Sequence, residues 1–102
     1  LTLAWRPRYQ IQADLLDLSD ISEHNDGYRY LFVLIDVFTR EVFIEMQKDK
    51  YSRTTLDSLK NLYKKTGHFD RFQSDAGKEF INASVKNWLK EKRIYFFQTQ
   101  SD

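Results

Sequence analysis

The 102-residue chain is long enough for one domain with a single modest core, because 41% of its residues are hydrophobic and 16% aromatic. Sixteen Lys and Arg against fifteen Asp and Glu leave a net charge of +1, so any affinity for nucleic acid must come from a local basic patch and not from a global field. With no cysteine there is neither a disulfide frame nor a thiolate zinc site, which fits a reducing compartment, and no apolar run is long enough to span a membrane.

The chain opens on "LTLAWRPRY" and stops on "FFQTQSD", with no initiator Met and no signal-peptide pattern, as expected of a piece of a longer protein. No repeat or linker divides it, so residues 1–102 are read as one unit, a partial domain. Trp5, Arg6 and Arg8 form a basic, aromatic lead-in suited either to a linker or to DNA contact. "YQIQADLLDL", Tyr9 to Leu18, is apolar on both faces and predicts a central strand, interrupted by Asp14 and Asp17. "SDISEHNDG" then predicts a hairpin loop, because Asn25, Asp26 and Gly27 tolerate positive φ. The run from Arg29 to Phe38 predicts a second strand, and "EVFIEMQ" a third, half exposed at a sheet edge with its acids on one face.

After this meander the period changes. A helix is predicted from Ser52 as N-cap, with Leu56, Leu59 and Tyr63 on one face, lysines at its end and Gly67 as the stop. "HFDRFQS" predicts a short strand leading to Asp75. Asn82 predicts the cap of a second helix with Val85, Trp88 and Leu89 inward, and "RIYFFQ" a last strand. The order β-β-β-α-β-α-β implies an α/β fold with a mixed sheet, antiparallel first and then parallel through helical crossovers.

If the first and fourth strands are parallel neighbours, Asp14 and Asp75 can approach each other. Two carboxylates in a poorly solvated site share a proton or recruit a cation, and hard oxygen donors favour Mg²⁺ or Mn²⁺. Taken alone, Asp75 before a glycine reads as a cap or turn residue. Asp14 is harder to explain structurally, since an unpaired charge in an apolar strand costs several kcal/mol. Structural roles are preferred for Asp17, near a strand end, and for Asp36, which can pair with Arg40 or bond backbone amides. His24 and His68 read as isolated, solvated side chains, and Glu79 as a first-turn acid favoured by the helix dipole. Lys78, Lys86, Lys90, Lys92 and Arg93 line the second helix, a solvated face unless a nearby site recruits it for phosphate.

The motifs "QADL", "IDVFTR" and "FQSDAGKEF", in this order across nearly the whole chain, resemble the catalytic core of retroviral-type integrases. The resemblance is stronger to integrases of retrotransposons and of large self-synthesising (Maverick/Polinton-like) DNA transposons. It implies an RNase H-like fold, a mixed five-stranded sheet of order 3-2-1-4-5 with helices on both faces, truncated here before the C-terminal helices. It also implies an Asp, Asp, Glu triad that binds two Mg²⁺ or Mn²⁺ ions, with Asp14 and Asp75 as the first two acids and the third beyond residue 102. Ala76 stands where the family commonly has Asn.

The implied activity is trimming of element DNA ends followed by joining of the new 3′ ends to target DNA, in the nucleus. The implied partners are DNA, contacted through Lys78, Lys86 and Gln98, and further copies of the chain in a homodimer or higher oligomer; no membrane is involved. These residues alone are expected to bind divalent ions weakly and to join no DNA. A nuclease that cleaves without joining, or a domesticated core that only binds DNA or protein, are the alternatives.

Overall fold

A computed structural model describes residues 6–75 and 80–99. The elements run β1 (Gln10–Asp17), β2 (Tyr30–Asp36), β3 (Val42–Gln47), α1 (Ser52–Thr66), β4 (Arg71–Asp75), α2 (Ala83–Glu91) and β5 (Tyr95–Thr99), with a 3-10 helix at Ser19–His24 between β1 and β2. The five strands form one sheet in the order β3-β2-β1-β4-β5. β1, β2 and β3 pair antiparallel, while β4 lies parallel to both β1 and β5. This is the mixed sheet expected from the sequence, with β1 at its centre.

Handedness decides where the helices go. The crossovers β3-α1-β4 and β4-α2-β5 join parallel strands and step across the sheet in the same direction, so a right-handed path puts both helices on the same face. The core agrees: Ile11, Phe32, Leu34 and Phe72 from the strands meet Leu59, Leu62, Val85 and Leu89 from the helices, all of them fully buried. The opposite face carries no helix among the described residues.

That arrangement reverses one expectation about β3. Val42, Ile44 and Met46 are about half exposed on the uncovered face, whereas Phe43, Glu45 and Gln47 turn towards α1. Asn61 of α1 donates to Glu45 Oε1 at 3.0 Å, and the buried Gln47 amide donates to the Asp49 carbonyl at 3.0 Å. Edge position was legible from the alternation, but which side of it faced water was set by where the crossover helix lies.

The helix ends show how local chemistry sets the boundaries. The N-cap of α1 is Tyr51 and not Ser52, which is already helical, and no side chain caps it. Asp49 Oδ1 holds the Tyr51 amide at 3.1 Å and so fixes the entry of the chain one residue earlier. Gly67, at φ +75°, ends α1 in a conformation that glycine reaches without a Cβ penalty. Asn82 caps α2 as expected, its Oδ1 accepting from the Val85 amide at 3.1 Å.

Asp36 closes β2 two residues before the expected end and anchors three segments at once. Its side chain is wholly buried. Oδ1 accepts from the amides of Phe38 and Thr39 at 2.8 and 3.0 Å, bending the chain into the turn to β3. Oδ2 accepts from the Arg8 amide at 2.8 Å and from Arg8 Nη1 at 2.7 Å. Its cationic partner is therefore Arg8, from the lead-in, and not the Arg40 that sequence proximity suggested. Arg8 also donates to the Thr66 carbonyl at the end of α1 and to Glu41, and its guanidinium lies over the Phe43 ring. Arg6 pairs with Asp70. Both described arginines of the lead-in thus hold the fold together, and Trp5 lies outside the described residues.

Burial pushes the Asp36 carboxyl up, but the amides of Arg8 and Thr39, the Arg8 guanidinium and the Phe38 amide outweigh it and hold it below the ordinary 3.8. A depressed folded value contributes stability that is fully present above the unfolded value and is lost as pH falls through the folded one.

Two predictions follow from the packing and this hub. In urea unfolding, Phe72→Ala, which empties a fully buried position, is expected to cost about 3–5 kcal/mol, and Val42→Thr on the uncovered face to stay within about 0.5 kcal/mol. Asp36→Asn, which leaves Arg8 without its buried partner, is expected to cost about 3–5 kcal/mol at pH 7 and to flatten the loss of stability below pH 4; equal acid sensitivity in mutant and wild type would contradict the hub.

Candidate active site

Strand side chains alternate, so sending Ile11, Ala13 and Leu15 into the core puts Gln10, Gln12, Asp14 and Leu16 on the uncovered face of β1. In β4 the same logic turns Phe72 and Ser74 inward and leaves Arg71, Gln73 and Asp75 on that face. The parallel ladder pairs Gln10 with Arg71, Ile11 with Phe72 and Gln12 with Gln73, a constant offset of 61 positions. Asp14 and Asp75 have the same offset (75 less 14) and lie two residues past the last of these pairs, towards the carboxyl ends of both strands.

Neighbouring residues tie these strands together. The fully buried Gln10, the first residue of β1, donates from Nε2 to Gln73 Oε1 at 2.7 Å, a side-chain clamp between the two strands four residues before Asp14 and two before Asp75. Asp14 is half-buried, and its Oδ1 accepts from the Leu15 amide at 2.8 Å. Asp75, also half-buried, sits opposite Thr99 in the β4–β5 ladder, and the Thr99 hydroxyl donates to Asp75 Oδ1 at 3.2 Å. Gln98 lies on the other side of β5, where its amide reaches Ser74 Oγ at 3.4 Å and the Asp75 carbonyl at 3.5 Å. Lys86 stands on α2 with its ammonium over the Phe96 ring. Asp14 and Asp75 therefore share one face, Lys86 and Gln98 the other, and Lys78 lies outside the described residues, as do Ala76 and Glu79.

The other titratable candidates have structural surroundings. Asp17 is exposed at the end of β1, where the hydroxyl and the amide of Ser19 hold its carboxyl below the ordinary value. His68 is not isolated: its Nδ1 lies 2.7 Å from the Tyr63 hydroxyl and its Nε2 lies 3.6 Å from Asp70. His24 ends the 3-10 helix. Among the described residues, no group of three or more His, Cys, Asp or Glu side chains could hold a metal ion.

Two residues that contact the β4 strand of the candidate site, Gln10 and Thr99, escaped the sequence reading. Gln10 was visible in "QIQAD", where alternation puts it on the face of Asp14. Thr99 had no comparable signal, because its contact to Asp75 depends on the β4–β5 register.

A family model described as the integrase core domain matches residues 4–99. A transposon-derived protein of Caenorhabditis elegans is 31% identical over 86 residues, which cover 83% of this chain and 30% of that protein. Among solved structures, the integrase catalytic core domain of HTLV-2 in complex with magnesium, in its dimeric form, superposes with a TM-score of 0.77 at 17% identity, covering 94% of this chain and 63% of that one. The trimeric form of the same core gives a TM-score of 0.73 at 18% identity, covering 90% of this chain and 60% of that one. At these identities the likeness establishes the fold, RNase H-like with strand order 3-2-1-4-5. The chain spans under a third of its curated relative and about three fifths of the solved cores. With the family pattern running through nearly all of its length, the chain belongs to the integrase core domain family.

Proposed function

We propose that this chain supplies the central part of a catalytic core that processes DNA 3′ ends and joins them to target DNA. The observation that carries the reading is the shared offset of Asp14 and Asp75 from the β1–β4 ladder. Continued for two more residues beyond Gln12–Gln73, that register would set the two Cα atoms about 5 Å apart with both carboxylates on one face.

The donor set suits Mg²⁺ or Mn²⁺: both are hard oxygen ligands, and Mg²⁺ in particular is held by one or two carboxylates while keeping several waters. Asp14 and Asp75 would hold the metal, and a third acid from outside the described residues would complete a site for two ions. Bound there, the metal supplies charge stabilisation at the phosphoryl oxygens and activation of the attacking hydroxyl. The protein's own part is orientation. The Leu15 amide and the Thr99 hydroxyl each fix one carboxylate oxygen, and the Gln10–Gln73 clamp sets the strand spacing behind them.

Trimming would be hydrolysis of one phosphodiester near the element end. Joining would be a transesterification, in which the new 3′-hydroxyl forms a bond to a target phosphorus as the bond to the target's own 3′-oxygen breaks, so no external energy source is needed. Lys78, Lys86 and Gln98 are proposed DNA contacts. Assembly into a dimer or larger homo-oligomer is supported by the dimeric and trimeric forms of the HTLV-2 core, and a nuclear location by the substrate.

With the intact protein, labelled element-end DNA and Mg²⁺ or Mn²⁺, we expect joined products. Asp14→Asn and Asp75→Asn should each lower joining by more than the roughly 10–100-fold typical of changes around a metal's ligands. Cleaved ends without joined DNA would favour a nuclease; unchanged joining in either variant would remove these two acids from the site.

A further inference from the structure

We propose that Lys86, Lys90 and Arg93 form a phosphate track that holds duplex DNA along α2, on the helical side of the sheet and away from the carboxylates. The proposal deepens the reading above and rests on it for the identity of the polyanion. Lys86, Lys90 and Arg93 follow one another at four- and three-residue intervals, so they project from one side of α2 and the turn after it. All three are exposed and line a single shallow groove whose floor is Leu89, Ile94 and Phe96.

Among the described residues no acid lines that groove and no ion pair involves these three side chains. The neighbouring groove between α1 and α2 differs, because Glu91 stands among its lysines. In a chain whose net charge is only +1, three unneutralised cations on one strip are a local concentration of charge. Their spacing also fits. A seven-residue separation at helical rise is about 10 Å, and each DNA strand carries one phosphate per about 3.4 Å of duplex axis, so the strip matches about three base-pair steps along that axis.

Arg93 follows the C-cap Lys92 with φ +60°, in the left-handed position where glycine is the usual occupant, so R93G removes the charge without straining the turn. The strip runs from Lys86, which stands over Phe96, to Arg93 at the start of β5. Thr99, the partner of Asp75 in the ladder, lies at the other end of that strand, about 13 Å from its start. DNA held here would be gripped beyond its reacting phosphate.

The test is fluorescence anisotropy of the intact protein with a labelled 30-base-pair duplex of arbitrary sequence, in EDTA, across a salt series. Each phosphate contact contributes about −0.9 to the slope of log K against log salt, so K86Q/K90Q/R93G should make the slope shallower by about 2–3 and weaken binding on the order of 100-fold near 0.1 M salt. The control K60Q/K64Q/K65Q, which removes the same charge from α1, should leave the slope unchanged. R93G alone should not lower the melting temperature, because glycine suits that position.

Equal slopes in the two triple variants, or tighter competition by poly-glutamate than by duplex DNA at equal charge, would overturn the proposal. Because EDTA removes divalent metal, failure of the joining reaction and failure of the track are read separately. Normal binding without joining sinks the catalytic reading, whereas joining with an unchanged slope sinks the track.

Discussion

The constraint on which the site depends is the parallel register of β1 and β4. Side chains on a strand alternate between faces, so a slip of one residue would turn Asp75 towards the helices while Asp14 stayed on the open face. Two features resist that slip. Ile11 and Phe72 are both fully buried and must face the helices, and the Gln10–Gln73 side-chain bond would break in a one-residue slip, which turns Gln73 to the other face. A burial pattern, not any property of the carboxylates, therefore decides that two acids 61 positions apart come to one end of one face.

A second buried polar centre performs the corresponding task at the opposite end of β1. Asp36 joins the lead-in, the β2–β3 turn and, through Arg8, the end of α1. Its carboxylate is fully buried yet well supplied with donors, which is the condition under which a buried charge is tolerated. The two centres divide the labour: Asp36 is satisfied by the protein's own amides and guanidinium, while Asp14 and Asp75 stand at the carboxyl ends of parallel strands, where open α/β sheets place their ligands.

Much of this was legible in the amino-acid order. Element sequence, the meander, the Asn82 cap and the Val85–Trp88–Leu89 face all follow from periodicity and turn chemistry. What escaped reading was long-range. The partner of Asp36 is 28 residues away, the exposed side of β3 depends on which face α1 covers, and Thr99 meets Asp75 only through a ladder. Local signals mark where an element begins and which residues share a face. They do not say which distant residue completes a hydrogen bond, because that is set by the packing of several elements at once.

The adjacency of Asp14 and Asp75 can be measured without metal or DNA, because the chain contains no cysteine. Directly opposed residues on adjacent strands have Cα atoms about 5 Å apart, within the roughly 4.4–6.8 Å that a disulfide spans. Asp14→Cys with Asp75→Cys should cross-link intramolecularly under mild oxidation, and Asp17→Cys with Asp75→Cys should not. Absence of the first cross-link in folded protein, or equal formation of the second, would contradict the placement of the two acids on which the proposed chemistry rests.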